Sequence, residues 1–219
     1  MTTASLKLAV ITGGHSFHVP DFHGLFRRLD GVIAYIQSLD DFASSPRPVR
    51  RWYDAVLFYI MLMETPKDEG LPWHAGKPFS ALSELGETEQ GIVILHHAIL
   101  AYPHWPLWDE LVGISDRSFG FYVNQRVRGQ IANPNHPITE GVQPWEMADE
   151  TYTMADAGKG SDVLLTYDHP KSMRTIGWTR QYKGARVFCY QAGHDNATYS
   201  DPNFQEVLRR GILWVANRL

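Results

Sequence analysis

The chain has one cysteine in 219 residues, so no disulfide can form within it. Cys189 lies inside the apolar run Val187-Phe188-Cys189-Tyr190, away from any turn or helix start that would stabilise a thiolate, and reads as core packing. Several nucleotide and hydrolase signatures are also missing. There is no G-x-G-x-x-G, no Walker lysine and no G-x-S-x-G elbow, so neither a nucleotide cofactor nor a serine nucleophile at a strand-to-helix turn is expected. Lysines and arginines form no run and the net charge is -4, which provides no footprint for nucleic acid or an anionic membrane. No apolar stretch approaches the roughly 20 residues of a membrane-spanning helix. Residues 1–7 lack a basic region followed by an apolar core, so a cytoplasmic location and a small-molecule partner are expected.

The apolar segments that are present have strand length. Leu6–Ile11 runs into Thr12-Gly13-Gly14 and reads as a buried strand ending in a tight turn, and Tyr53–Leu62 and Gly91–Leu95 are continuous enough to be covered on both faces. Asp162–Tyr167 and Ala185–Tyr190 read as later strands, and Phe119–Ile131 as a partly exposed strand or hairpin. A helix capped by Asp21 is expected to carry Leu25, Leu29, Val32, Ile33 and Ile36. Ala43–Pro48 reads as a loop, Glu64–Lys77 as irregular and Phe79–Leu85 as a short helix. Helical turns are expected around Trp108, Leu111 and Val112, and a closing helix is expected to carry Phe204, Val207, Leu208, Gly211, Trp214 and Val215. Strands alternating with helices predict an α/β fold, a three-layer sandwich with a mostly parallel central sheet, as a single domain over residues 1–219. Ligands of such sheets bind beyond the carboxyl ends of the strands.

Histidines gather at those ends. His15 and His18 follow the first strand, the pair His96-His97 follows a central one, and His194 follows Gly193 after a late one. Imidazoles so placed can bind a metal or move protons. Successive side chains of an extended chain alternate faces, which leaves open whether His96 or His97 faces the pocket. Asp149-Glu150-Thr151-Tyr152 places carboxylates beside a phenol, a set able to bind a metal or act as general base, though an acidic turn would read the same way. Asp195 can orient His194 or cap the next segment. Trp105, Trp145 and Trp178 suit either stacking on sugar rings or a homo-oligomer interface.

Taken in order, Thr12-Gly13-Gly14-His15, Leu95-His96-His97-Ala98, His136-Pro137-Ile138-Thr139, Asp149-Glu150-Thr151-Tyr152, Gly177-Trp178-Thr179-Arg180, Gly184-Ala185-Arg186-Val187-Phe188, Gly193-His194 and Arg210-Gly211-Ile212-Leu213-Trp214 resemble the ThuA-like (trehalose-utilisation) family over nearly the whole chain. The resemblance implies a flavodoxin-like fold akin to the class I glutamine amidotransferases. Where those enzymes carry a nucleophilic cysteine this chain has His96-His97, so it is not expected to be a glutaminase. The resemblance also implies a role in carbohydrate catabolism, on disaccharides or their 3-keto derivatives. The expectation is an enzyme in which a divalent metal, zinc by preference, is held by residues among His15, His96, Glu150 and His194. His97, His18, Glu150 and Tyr152 would handle protons, and Trp178, Trp105 and Asp195 would contact the sugar. The alternative is a non-catalytic sugar-binding or regulatory module.

Overall fold

The computed structural model describes residues 5–219. In chain order the elements are β1 (Leu6–Gly13), α1 (Val19–Arg27), β2 (Val32–Ser38), α2 (Leu39–Ser44), α3 (Arg47–Arg50), β3 (Ala55–Ile60), α4 (Pro78–Ser83), β4 (Gly91–Leu95), α5 (Pro106–Val112), β5 (Gly120–Ile131), β6 (Trp145–Thr153), β7 (Asp162–Tyr167), β8 (Thr175–Tyr182), β9 (Ala185–Tyr190), α6 (Asn196–Tyr199) and α7 (Pro202–Val215). Nine strands form one sheet in the order β2-β1-β3-β4-β9-β8-β7-β5-β6.

The sheet is mixed, so the expected mostly parallel sheet is not borne out. Pairings from β2 through β9 are parallel, and those from β9 through β6 are antiparallel. A parallel neighbour needs a crossover of about a dozen residues or more, usually a helix. Between β8 and β9 there are only Lys183 and Gly184, which force a hairpin, and no helix intervenes between β5 and β9.

Three layers are present around the parallel half. Period-two alternation sends Leu8, Val10, Leu57, Tyr59, Val93 and Phe188 to one face, under Phe22 and Leu25 of α1 and Phe204, Val207 and Leu208 of α7. Ala9, Ile11, Val56, Phe58, Ile92 and Cys189 face the other way, under Phe42 of α2, Leu82 of α4 and Trp108 and Leu111 of α5. The close packing of α7 needs Gly211, since any Cβ there would enter the Phe188 ring.

Several local expectations are corrected. The helix read from Asp21 to Ile36 stops at Arg27, and Val32–Ser38 is strand β2. Gly31, at φ +81°, turns the chain out of the helix, and Val32-Ile33-Ala34-Tyr35-Ile36 is rich in β-branched and aromatic residues. Asp21 lies in the first turn of α1, and His18 occupies the cap position without a side-chain cap bond. The Ala43–Pro48 stretch read as a loop lies mostly within two short helices, with only Ser45 and Pro46 between α2 and α3, and α2 is held by a reciprocal Ser38–Asp41 capping box. Asp149–Tyr152, for which an acidic turn is the alternative reading, lies inside strand β6, and residues 175–182, for which no element is expected, form β8.

Candidate active site

The parallel half supplies the histidines. His96 leaves β4 in a left-handed conformation, φ +53°, which is costly for a residue with a Cβ and turns both imidazoles inward. Both are buried, His96 within reach of Glu150 and His194 and His97 between the rings of His15 and Tyr59. The His96 Nδ1 lies 2.6 Å from the Gln191 carbonyl oxygen, which can only accept, so Nδ1 carries the hydrogen, and Nε2 presents a lone pair when the ring is neutral and a charged N–H to the nearby carboxylates when it is protonated. His97 is fixed in the same way by the Ile60 carbonyl at 3.1 Å, and its Nε2 has no partner. Burial, followed by the neighbouring imidazoles of His96 and His15, pushes the His97 pKa down to about 2 and keeps the ring neutral.

His194 is delivered by the turn after β9, in which Gly193 adopts φ +124°. Asp149 fastens that turn. Its carboxylate accepts from the Gly193 and His194 backbone N–H groups at 3.0 and 3.1 Å, from Glu150 N–H at 2.9 Å and from the Thr198 hydroxyl at 2.8 Å. Burial pushes the Asp149 carboxyl above its usual range, and these donors with the His96 charge oppose the shift. From below, Tyr59 donates to the Gly193 carbonyl at 3.0 Å and Tyr199 to that of His194 at 3.0 Å.

The antiparallel half supplies the acid and the phenol. Alternation along β6 turns Asp149 one way and Glu150 and Tyr152 the other. In a flat sheet β6 would lie four strand spacings from β9, roughly 19 Å at about 4.8 Å each. The sheet is not flat. β5 pairs with β7 only through Gly129–Ile131, and the rest of its length leaves with β6 as a two-stranded ribbon, bulged between Tyr122 and Gln125. The ribbon folds back over the carboxyl ends of β4 and β9, close enough for the Gln191 side chain to donate to the Glu150 carbonyl at 2.9 Å.

The result is a cluster of three. His96 Nε2 and His194 Nδ1 are 3.3 Å apart, and each is 3.5 Å from Glu150 Oε1. These separations are close to the edge of a tetrahedron whose bonds are about 2.0–2.1 Å, roughly 3.3–3.4 Å, so the donor set fits a zinc-like ion with one position left open. Burial alone would raise the Glu150 pKa, but the His96 hydrogen bond and charge, with His194, bring it below the usual value. The His194 ring is shifted down by burial and by His96. The Tyr152 hydroxyl lies 2.8 Å from His96 Nε2, and burial, then the Glu150 charge, raises its pKa well above that of an ordinary phenol. Above the cluster a cavity of about 170 Å³ is lined by His15, Met61, Leu100, Phe119, Phe121, Glu150 and Tyr152.

His96, His97, Glu150, Tyr152 and His194 are thus brought together. His15 lies at the rim, its ring 4.5 Å from that of His97 and 6.2 Å from that of His194, outside the three-ligand set. Other expected residues lie elsewhere. His18 is exposed and pairs with Asp21 at 2.7 Å. Trp178 is fully buried in β8 and donates to the Val112 carbonyl, and Trp105 packs among Phe79, Tyr102 and Trp108, so neither ring is open for a sugar. Asp195 spends its carboxylate capping α6 at Ala197 N. Asp149, expected beside Glu150 as a metal-binding or basic carboxylate, serves instead as the acceptor that holds the His194 turn, and Tyr59, Gln191, Phe119 and Phe121 are not among the expected site residues. Tyr59 sits in a continuous apolar run that reads as core, and Gln191 acts on Glu150 through a fold-back that no local pattern announces.

Among the described residues no helix is long and apolar enough to cross a membrane. No curated protein sequence matches the chain. Among solved structures, a ThuA-like protein from Parabacteroides merdae is similar at TM-score 0.73 and 19% identity, covering 97% of this chain and 90% of its own. A cytoplasmic protein of Salmonella typhimurium follows at TM-score 0.65 and 12% identity, covering 96% and 99%. A glutamine amidotransferase of Thermotoga maritima follows at TM-score 0.55 and 11% identity, covering 96% and 98%. At such identities these likenesses speak for the fold. The family model for ThuA, described as trehalose utilisation, matches residues 53–215, and the chain belongs to that family.

Proposed function

We propose that the protein is an enzyme of carbohydrate catabolism that acts on a sugar carbonyl, a 3-keto disaccharide or related keto-sugar, with a divalent metal held by His96, Glu150 and His194. The observation that carries this reading is the near-tetrahedral spacing of three donors whose lone pairs are pre-aimed by second partners, His96 by the Gln191 carbonyl and the His194 turn by Asp149. A metal bound there would act as a Lewis acid toward a carbonyl or hydroxyl oxygen. Tyr152, kept protonated by its surroundings, donates a hydrogen bond to the oxygen on which negative charge develops. His15 lines the cavity with Nδ1 bonded to the Ser16 carbonyl, which leaves Nε2 as the proton acceptor for the carbon beside the carbonyl. Phe119 and Phe121 offer faces to the sugar's C–H surface. Delivery of that proton to the former carbonyl carbon gives isomerisation, and departure of the glycosidic oxygen from the next carbon, taking the same proton to leave as the alcohol, gives elimination.

Elemental analysis and zinc titration of untagged protein test the metal directly. About one equivalent is expected in the wild type, with affinity at least about 100-fold lower in Glu150→Gln and His194→Ala at unchanged circular dichroism. A wild type that takes up no metal would exclude this reading. A second reading, a metal-free sugar-binding module, draws on the Tyr152 hydroxyl already occupying the His96 lone pair at 2.8 Å. It predicts binding of unmodified disaccharide that is indifferent to chelators.

A further inference from the structure

The two edges of the sheet are protected very differently. The β6 edge carries Glu146, ion-paired to Arg126, the buried carboxyl groups of Asp149 and Glu150 on its two faces and the β5 bulge beside them, all features that discourage edge pairing. Among the described residues the opposite edge, β2, pairs only with β1. Its sequence, Val32-Ile33-Ala34-Tyr35-Ile36-Gln37-Ser38, contains no charge and no proline, and its pairing with β1 is unbroken by a bulge. Unpaired backbone donors and acceptors on such a strand form a template for another strand.

The flanks add apolar surface. Ile33 is 48% exposed, Tyr35 38%, Val49 45% and Trp52 49%. Tyr35 packs against Trp52 and Tyr53 with ring centres 5.4 and 5.5 Å apart, which makes the patch contiguous, and Lys7 over Trp52 marks its rim. The other face of β2 borders a groove lined by His23, Phe26, Arg27, Val32, Ala34 and Ile36. The exposed parts of Ile33, Tyr35, Val49 and Trp52 alone amount to something on the order of 350 Å². That is nearly half of the ~800 Å² each partner buries in a standard interface, before backbone and groove are added.

We propose that β2 pairs antiparallel with β2 of a second copy about a two-fold axis near Tyr35, joining the two sheets edge to edge. An uncharged strand places no like charges opposite each other when paired with itself, and a two-fold puts Tyr35 beside the same residue of the second copy, an aromatic cross-strand pair backed by Trp52 from each side. The proposal does not depend on the chemistry at His96, Glu150 and His194.

Sedimentation velocity of the untagged full chain over roughly 1–100 µM should show a reversible dimer. Tyr35→Lys, counted twice in a symmetric interface, should raise the dissociation constant at least about 100-fold, while Phe121→Lys at the other end of the sheet leaves it unchanged. Should Tyr35→Lys fail to fold, hydrogen exchange of the wild type at low and high concentration reads the same strand, with β2 amides slowing as the dimer forms. A monomer at the highest concentration overturns the proposal. So does a dimer that forms without added β2 protection or survives Tyr35→Lys.

Discussion

The two halves of the sheet solve different problems. The parallel half, β2 through β9, is clothed by helices on both faces and packed with aliphatic and aromatic residues, and it presents main-chain carbonyls at fixed places. Gln191 and Ile60 carbonyls set the tautomers of His96 and His97 there. The β5–β6 ribbon has little core of its own, exposes Phe121, Tyr122 and Val123, and contributes Glu150 and Tyr152 by folding across the strand ends. The site is therefore shared, with imidazoles from the parallel half and the acid and phenol from the ribbon, and Asp149 bonds one to the other.

The largest effect should come from cutting that bond. Asp149→Ala leaves buried N–H groups of Gly193, His194 and Glu150 without an acceptor and is expected to cost about 3 kcal/mol in denaturant unfolding. Metal affinity should fall with it, because the His194 turn is released. Unchanged stability would mean that the halves are joined by other means.

A smaller effect sharpens the account of the parallel half. The folded-state pKa of His97 is depressed from 6.5 to about 2, so below about pH 6.5 the unfolded chain binds a proton that the native ring refuses. Stability from this group is complete above pH 6.5 and is lost as pH falls toward 2, by up to about 1.4 kcal/mol per pH unit. Unfolding curves between pH 7 and 5 should show a steeper loss in the wild type than in His97→Gln; parallel slopes would count against a buried neutral ring.

The smallest stability effect is expected in the ribbon. Phe121 is 63% exposed, so Phe121→Ala should shift stability by no more than about 0.5 kcal/mol. It should nonetheless weaken binding of a keto-sugar several-fold in a titration. Equal affinity in mutant and wild type would remove Phe121 from the binding surface.

Much of the parallel half was legible along the chain. Residues 6–13, 91–95 and 185–190 are apolar runs of strand length that end in glycine or lead within a few residues to histidine, the pattern of a strand covered on both faces. His96, His97 and His194 were legible for the same reason. The antiparallel half was harder to read. Glu146, Asp149 and Glu150 interrupt β6, and its partner β5 is mostly exposed, so neither carries the pattern of a core strand. Trp178 reads as a binding residue in a chain rich in tryptophan, and only packing shows that its ring is enclosed beneath α5.

By itself the sequence determined the buried strands β1, β3, β4 and β9, the placement of histidines at strand ends and the core position of Cys189, because all three follow from periodicity and local composition. Burial does raise the Cys189 thiol pKa far above its ordinary value. Only the tertiary structure decided that Glu150 and Tyr152 meet His96 and His194, and that His18, Trp105, Trp178 and Asp195 do not join them. Those contacts depend on β5 leaving β7 and carrying β6 back over the sheet, a bend set by long-range pairing and a bulge rather than by any residue's own preference.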